Sequence, residues 1–130
     1  HLAKPIQLSI SSVNINLPIE ETAISNNAWG ISSLGASYLA ISARPGENGA
    51  IILYGHNSTD RFGPIRWLSV GKEIKIKTTD GKTHTYIINK IAEVDPRQTD
   101  VFNQKTEVLI LYTCSGFADL KRFVVIARPQ

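Results

Sequence analysis

The stretch LILYTCSGFADLKRFVV holds the only cysteine of the chain, Cys114, at the end of an apolar run. Arg122 follows where the next apolar run begins. A free thiol has a pKa of about 8.5, and a neighbouring positive charge favours the thiolate, which is the nucleophilic form. Arginine keeps its charge and offers several N–H donors that can stabilise an oxyanion. The pair therefore has the residue types that nucleophilic acyl transfer needs.

Acyl transfer to a thiol also needs a group that carries a proton to the leaving amine. The chain has three histidines. His1 stands at a terminus, and His84 lies inside the alternating segment KTHTYII, which is typical of a solvated strand residue. His56 directly follows the apolar run AIILYG, at a strand end, where loops commonly carry functional residues. We therefore choose His56 as the proton carrier.

The segments on either side of the Cys114–Arg122 stretch predict a final hairpin, with strands over 108–114 and 122–128. If Cys114 and Arg122 are opposed in this antiparallel pair, Tyr112 faces Val124. Opposed residues point to the same side of a sheet, with Cβ atoms roughly 5 Å apart. The thiol and the guanidinium would then lie side by side. A slip of one residue would turn Arg122 to the other face.

The residues by themselves leave other interpretations open. A lone cysteine at a strand end is commonly a small buried hydrophobe. An isolated GHN segment is often a simple turn, and an arginine can cap a surface strand. A metal site shared by His56, His84 and Cys114 has none of the close ligand spacing typical of such sites.

Strands dominate the elements that would position these groups. Apolar and polar residues alternate in PIQLSI, VNINLPI and EIKIKT, and AIILYGH is a continuous apolar run typical of a buried strand. Asp80-Gly81 lies between two alternating segments and predicts a two-residue hairpin turn. Seven or eight strands, with one helical turn over 65–68, predict a closed or nearly closed antiparallel barrel.

Composition narrows the class of protein. A chain of 130 residues with 42% hydrophobic and 19% charged residues is typical of one globular domain. The net charge is only +3 and the basic residues are interleaved with acids, which argues against nucleic acid as a partner. One cysteine cannot form an internal disulfide, and no apolar run is long enough to cross a membrane.

Several separated segments resemble one known family. ILYTCSGF and KRFVVIA resemble the sortase signature, in which a strand ends in Thr-Cys and an arginine begins the next strand. PGENGAIILYGHN resembles the sortase segment that carries the catalytic histidine. INLPI, NNAWG and GKEIKIKTTDGKTHTYII fit the same pattern, so the resemblance covers nearly the whole chain, with His, Cys and Arg in the family's order.

The resemblance implies a mainly β fold, an eight-stranded sortase-type β-barrel with short helices in the connections. It implies a single catalytic domain over 1–130. The implied activity is that of a cysteine transpeptidase that cleaves an LPXTG-like sorting motif through a thioacyl-enzyme. Carried onto this chain, Cys114 is the nucleophile, His56 is the general acid and then the base, and Arg122 holds the substrate and stabilises the oxyanion. Thr113, just before the nucleophile, also matches the family's pattern.

The loop over 94–108 is our prediction for the substrate groove, with Pro96, Val101 and Phe102 as apolar contacts. The same residues could instead pin the loop to the barrel. This loop is too short for the inserted helix of class B sortases, and no Asp-Pro-aromatic lid precedes the barrel as in class C. Classes D to F, or a divergent relative, fit better.

We expect no cofactor and no metal site. Calcium, which some class A sortases bind, would require the acids Glu93, Asp95, Asp100 and Glu107 to converge. The expected partners are secreted proteins with a C-terminal sorting motif and an amine acceptor on the cell wall or a pilus subunit. We expect the protein at the extracellular face of a bacterial membrane, held by an N-terminal anchor that precedes His1.

Two rivals to the transpeptidase come from other classes. A cysteine protease or hydrolase would share the nucleophile, but papain-like chains place the cysteine before the histidine. Caspase-like chains place the histidine first, yet their signature around the cysteine differs from TCSG. The other rival is a non-catalytic barrel that only binds peptides, and loss of activity when Cys114 is replaced would argue against it.

Overall fold

The computed structural model describes residues 2–26, 28–33, 35–98, 100–115 and 121–130, with the backbone alone at positions 114 and 115. Within these ranges, three 3₁₀ segments lie in the connections, at Ser11–Val13, Gly63–Trp67 and Asp100–Phe102. The strands are β1 (Pro5–Ile10), β2 (Ile15–Thr22), β3 (Ile24–Ser25), β4 (Ala28–Trp29), β5 (Ala36–Leu39), β6 (Ala50–Tyr54), β7 (Glu73–Thr78), β8 (Thr83–Val94), β9 (Val108–Ser115) and β10 (Lys121–Pro129).

Eight of these strands form a closed barrel in the order β1-β2-β5-β6-β9-β10-β8-β7, and β3 pairs with β4 as a separate small sheet. The prediction of an eight-stranded barrel with short helices is confirmed. The prediction that all its pairs are antiparallel is wrong, because β2–β5 and β6–β9 are parallel. Parallel neighbours need a long crossover connection. The β3–β4 excursion supplies one crossover, and the β7–β8 hairpin with its flanking loops supplies the other.

The barrel has apolar packing inside and, on one side, outside as well. On β7 the alternation is regular, with Ile74 and Ile76 buried between exposed polar residues. The strands β5, β6, β9 and β10 are instead buried on both faces, which explains their continuous apolar runs. Their outer face forms a second cluster that includes Ile52, Tyr54 and Ile110. Trp29, Val94, Val101, Phe102 and Tyr112 pack over this cluster.

The hairpin between β7 and β8 is present, but its turn differs from the predicted two-residue turn. Only Gly81 has a positive φ, +83°. The Gly81 amide donates to the Thr78 carbonyl at 3.0 Å, and the Thr78 amide donates to the Lys82 carbonyl at 3.0 Å. This pattern is a three-residue loop with glycine at its left-handed position.

Within the described residues, no helix has the length and apolar character needed to cross a bilayer.

Candidate active site

The final hairpin has the register that we assumed from the sequence. Cys114 on β9 is paired with Arg122 on β10, and Tyr112 is paired with Val124. The Arg122 side chain is partly exposed and donates from Nη1 to the Lys121 carbonyl at 3.0 Å. Opposed positions in an antiparallel pair share a face of the sheet. Backbone pairing thus brings the sequence-predicted nucleophile position next to the arginine.

The other neighbour of β9 brings the histidine to the same place. β6 runs parallel to β9, with Leu53 paired to Leu111 and Tyr54 to Tyr112. Beyond the last pair, the Thr113 hydroxyl donates to the Gly55 carbonyl at 2.8 Å, at the same sequence separation of 58 residues. His56 follows Gly55 directly. The same separation of 58 residues places His56 beside Cys114 across the two strands. The ends of β6, β9 and β10 therefore bring the three predicted catalytic positions together.

The backbone around His56 is fixed by the segment that follows it. The amide of Phe62 donates to the His56 carbonyl at 2.9 Å, and the Phe62 ring is fully buried. The ring lies so close to Gly55 that a Cβ added there would approach its Cδ1 to 2.8 Å. A glycine is therefore required at position 55 by close packing. The His56 side chain itself is exposed at the mouth of a cleft.

That cleft has a volume of about 630 Å³ and contains three of the sequence-predicted site residues, His56, Thr113 and Arg122. The Cys114 side chain lies outside the part of the chain that is described, so its place follows from the register of its backbone. The remaining described lining comprises Trp29, Ile31, Tyr54, Gly55, Asn57, Ser58, Asp60, Arg61 and Tyr112.

One wall of the cleft is aromatic. The Trp29 ring centroid lies 5.1 Å from that of Tyr54 and 5.8 Å from that of Tyr112, and Phe102 packs behind it at 5.5 Å. The Tyr54 hydroxyl donates to the Gly30 carbonyl and lies 2.6 Å from the Thr22 hydroxyl. The bond to Gly30, which directly follows β4, fastens the small β3–β4 sheet against the barrel.

Trp29, Tyr54 and Tyr112 were not predicted from the sequence as parts of the site, although the strand pattern already indicated two of them. Tyr54 and Tyr112 each precede a predicted catalytic residue by two positions, and residues two apart in a strand share a face. The alternation of side chains along a strand therefore indicated that both tyrosines lie on the same face as the predicted catalytic residues. Trp29 lies on the separate sheet, which no local pattern connects to the barrel.

The polar rim of the cleft lies in the turn after His56. The Ser58 hydroxyl donates to the Asp60 carboxylate at 2.8 Å. That bond, the backbone amide of Asp60 and the nearby charges of Arg61 and His56 lower the pKa of the Asp60 carboxyl. The Arg61 guanidinium points elsewhere, because it donates to the carbonyls of Ser32 and Ser33 at 3.5 and 3.1 Å.

The three residues predicted as groove contacts take different places. Phe102 stacks on Trp29 and Tyr112, at 5.5 and 5.4 Å between ring centroids, and so supports the cleft wall from behind. Val101 packs over the outer apolar cluster and lines a smaller cavity of about 290 Å³. Pro96 is half-buried in the turn after β8. Their contact with a substrate stays a prediction.

Two of the four acids considered for calcium, Asp95 and Glu107, have other partners. The Glu107 carboxylate accepts bonds from the Tyr86 hydroxyl at 2.7 Å and the Gly46 amide at 2.9 Å. Asp95 forms an ion pair with Arg97 at 3.1 Å, and this neighbour lowers the pKa of the Asp95 carboxyl. Among the side chains that the structure describes, no three of His, Cys, Asp or Glu come together as a metal site.

The remaining histidines lie elsewhere. His84 is on β8, paired with Ile76 of β7, and does not contribute to the described lining of the cleft. His1 lies outside the described residues.

A larger groove, of about 840 Å³, follows the other end of β6 and contains Ala50, Ile52 and Phe102. The aromatic wall thus separates two cavities on the same outer face of the barrel.

A closed mixed barrel with histidine, cysteine and arginine at the ends of three adjacent strands matches one family. The Sortase domain model matches residues 8–130. The chain therefore belongs to the sortase family.

Individual relatives agree with this assignment. Sortase D of Bacillus subtilis (strain 168) is 28% identical over 126 residues, which make up 93% of this chain and 61% of that protein. The chain thus spans less than two thirds of the length of this curated relative.

Solved structures of the family share the barrel. A Sortase D5 transpeptidase from Clostridium perfringens is 28% identical, with a TM-score of 0.80 over 98% of this chain and 79% of that one. A sortase C from Clostridium perfringens SM101 is 24% identical, with a TM-score of 0.79 over 100% of this chain and 72% of that one. At this lower identity the likeness shows the fold alone.

Proposed function

We propose that this protein is a cysteine transpeptidase that cleaves an LPXTG-like sorting motif and transfers the acyl part to an amine. One observation carries the proposal, namely the convergence of His56, Cys114 and Arg122 at the ends of three neighbouring strands. Each of the three can supply a different part of acyl transfer, and a cleft of about 630 Å³ opens beside them.

The first half of the reaction forms a thioester. The thiolate of Cys114 attacks the carbonyl carbon of the scissile peptide bond, and Arg122 stabilises the negative charge that develops on the carbonyl oxygen. His56, as an imidazolium, gives its proton to the departing amine as the C–N bond breaks. The products are a thioacyl group on Cys114 and a neutral His56.

The second half of the reaction transfers the acyl group. An incoming amine attacks the thioester carbon, the C–S bond breaks, and Cys114 leaves as a thiolate. His56 takes a proton from the attacking nitrogen and returns to the imidazolium form. An exposed histidine suits both roles, because it can reach the departing amine and the incoming one.

Membership of the family supports our assignment of the sorting motif and the partners. One sortase C structure from Clostridium perfringens contains the C-terminal cell wall sorting motif. In this chain the apolar wall of Trp29, Tyr54 and Tyr112 supports binding of the apolar residues of such a motif, and Phe102 would act through that wall. We assign secreted proteins with a sorting motif as donors and an amine of the cell wall or a pilus subunit as acceptor.

Class D fits best among the sortase classes. The two relatives described above that are 28% identical to this chain are named Sortase D and Sortase D5. The sortase C structures share the barrel at lower identity. We also assign the full-length protein to the extracellular face of a bacterial membrane, held by an N-terminal anchor, as the family implies.

The test is to follow the acyl group by mass spectrometry with a library of fluorogenic LPXTG-like peptides. We expect an acyl adduct on Cys114, and we expect added glycinamide or hydroxylamine to divert product from free acid to amide. A thioester is intrinsically more reactive toward amines than toward water, and ping-pong kinetics should accompany the adduct. Formation of acid alone at every amine concentration would favour a cysteine protease. Binding without any cleavage would favour a non-catalytic barrel.

A further inference from the structure

The turn after His56 places a single carboxylate at the rim of the cleft. Among the described residues that line it, the charged ones are Arg61, Arg122 and Asp60, together with the titratable His56. Asp60 is exposed. It is the one acid in this described lining, in a cleft whose other fixed charges are positive.

The Asp60 carboxylate is held in place without being neutralised. Its described hydrogen bonds come from the Ser58 hydroxyl at 2.8 Å and from its own backbone amide, and the charges of Arg61 and His56 act on it from nearby. The described ion pairs, Lys4–Glu21 and Arg97–Asp95, do not include it. An ionised carboxylate accepts about four hydrogen bonds, so capacity remains for a cationic donor. The adjacent Arg61 directs its guanidinium to the carbonyls of the 32–33 segment instead.

A second, smaller groove adjoins the cleft on the far side of Asp60. It has a volume of about 220 Å³, and Asp60 and Arg61 line both cavities. Its opposite side is the β1–β2 connection and the start of β2, with the exposed Asn14 and Asn16. The Asn16 amide oxygen accepts from Gln7 at 2.7 Å and from Ser9 at 3.3 Å. A ligand in this groove would approach the His56 side of the cleft past Asp60. A peptide acyl group bound along the aromatic wall would leave that approach open.

We propose that Asp60 and this smaller groove form the binding site for the amine acceptor, which arrives as an ammonium ion. The inference rests on the proposed transpeptidase function. A primary amine of the α-amino type has a pKa near 8, so it is mostly protonated at neutral pH. A carboxylate at the rim attracts that cation, and hydrogen bonds between the ammonium and the carboxylate are charge-assisted.

The proton balance of the transfer step assigns a place to each group. The ammonium held at Asp60 loses one proton to solvent and becomes a neutral amine. Its nitrogen attacks the thioester carbon, the C–S bond breaks and Cys114 leaves as a thiolate. Neutral His56 takes the second proton from the nitrogen, so the product is an amide and His56 is an imidazolium again.

The experiment compares two nucleophiles that consume the same acyl-enzyme. Glycinamide is largely a cation at pH 7, whereas hydroxylamine is largely neutral. The readout is the ratio of kcat/KM for glycinamide to kcat/KM for hydroxylamine, measured by amide formation. Any change in acylation or in the amount of folded protein cancels in this ratio.

We expect Asp60→Asn to lower the ratio about fivefold at low salt, the scale of one exposed charge contact. The loss should shrink between about 0.05 and about 0.5 M salt, because added ions screen an exposed carboxylate. Asp60→Glu keeps the charge and should retain most of the ratio. Glu73→Gln, which removes an exposed acid on β7 away from the cleft, is the matched control and should leave the ratio unchanged.

The possible failures are distinguishable. If wild type forms amide with both nucleophiles and Asp60→Asn keeps the wild-type ratio, the acceptor site is wrong while the transpeptidase stands. If both rates fall equally, Asp60 acts through His56 and not on the acceptor, which also overturns the inference. If wild type forms amide with hydroxylamine alone, no ammonium acceptor is used. If it forms no amide at all, both proposals fail.

Discussion

Arg122 and Cys114 are direct partners in the antiparallel ladder between β9 and β10. Five residues, 116–120, separate the two strands in the sequence. On the other side of β9, the Thr113 hydroxyl bonds to the carbonyl of Gly55 and makes His56 level with Cys114. The proposed chemistry therefore depends on one strand and its two neighbours.

Replacing Cys114 by alanine should abolish turnover and leave the barrel folded. The substitution removes the nucleophile, and the loss of one small side chain should lower the free energy of unfolding by at most about 1–2 kcal/mol. Peptide cleavage and thermal unfolding, measured on the same sample, separate the two effects. Cleavage by a folded Cys114→Ala protein would rule out the assigned nucleophile.

Arg122→Lys tests whether arginine acts through its charge or through directed N–H groups. Lysine keeps the charge but lacks the planar set of donors. If Arg122 stabilises the oxyanion directly, kcat/KM should fall by about 10²-fold or more, the scale of losing an oxyanion donor. Near wild-type kcat/KM in the lysine variant would instead indicate that the charge alone, by favouring the thiolate, is sufficient.

Thr113→Val should weaken the connection between the ends of β6 and β9. Thr113 is buried, and valine cannot donate to the Gly55 carbonyl. We expect the free energy of unfolding to fall by about 1–3 kcal/mol, the range for a buried polar group that loses its partner. We also expect kcat/KM to fall, because His56 follows Gly55 directly. Thr113→Ser keeps the hydroxyl and should recover most of kcat/KM; if it behaves like the valine variant, the methyl group matters and the hydrogen bond does not.

Gly55→Ala should be destabilising through a specific collision. The added Cβ would lie 2.8 Å from Cδ1 of the fully buried Phe62. Overpacking of this kind typically costs about 1–3 kcal/mol. Denaturant unfolding of Gly55→Ala, Phe62→Leu and the double variant measures the coupling between the two positions. The double variant should lose less stability than the sum of the single ones, because leucine makes room for the methyl group. Additive losses would show that the ring is not the cause.

The buried Tyr86 should make the protein less stable in alkaline solution. Burial, together with its bond to the Glu107 carboxylate and that negative charge, raises the pKa of the Tyr86 phenol above its ordinary value of 10.0. Below pH 10 both the folded and the unfolded state hold this proton, so its stabilising effect is fully present. Above pH 10 the unfolded state loses the proton first, and stability should fall by about 1.4 kcal/mol per pH unit from this group.

Urea unfolding of wild type and Tyr86→Phe between about pH 8 and about pH 11 checks this expectation. Burial also raises the pKa of Tyr38 and Tyr54, so both proteins should lose stability above pH 10. Wild type should lose it faster than the Tyr86→Phe variant. The comparison isolates Tyr86, because both proteins share every other titrating group. Equal slopes above pH 10 would contradict the assignment.

The sequence alone determined the parts of this protein that depend on near neighbours. The period-two pattern identified the strands, and the register assumed for the last hairpin, with Cys114 opposite Arg122, agrees with the observed pairing. Even there, local signals had limits. Asp80-Gly81 indicated the β7–β8 hairpin but not its turn, because a three-residue loop also places glycine at the position with positive φ.

Only the tertiary structure decided how distant strands meet. The parallel β6–β9 pair joins residues 58 positions apart, and nothing in the local pattern of either strand specifies its partner. Partner choice depends on closing the whole barrel, in which each of the eight strands must find two neighbours. The same closure carries the β3–β4 sheet across to Tyr54 and builds the aromatic wall from Trp29 and Phe102. Short segments of the sequence were enough to identify the candidate catalytic residues, but the cleft that contains them arises from long-range packing.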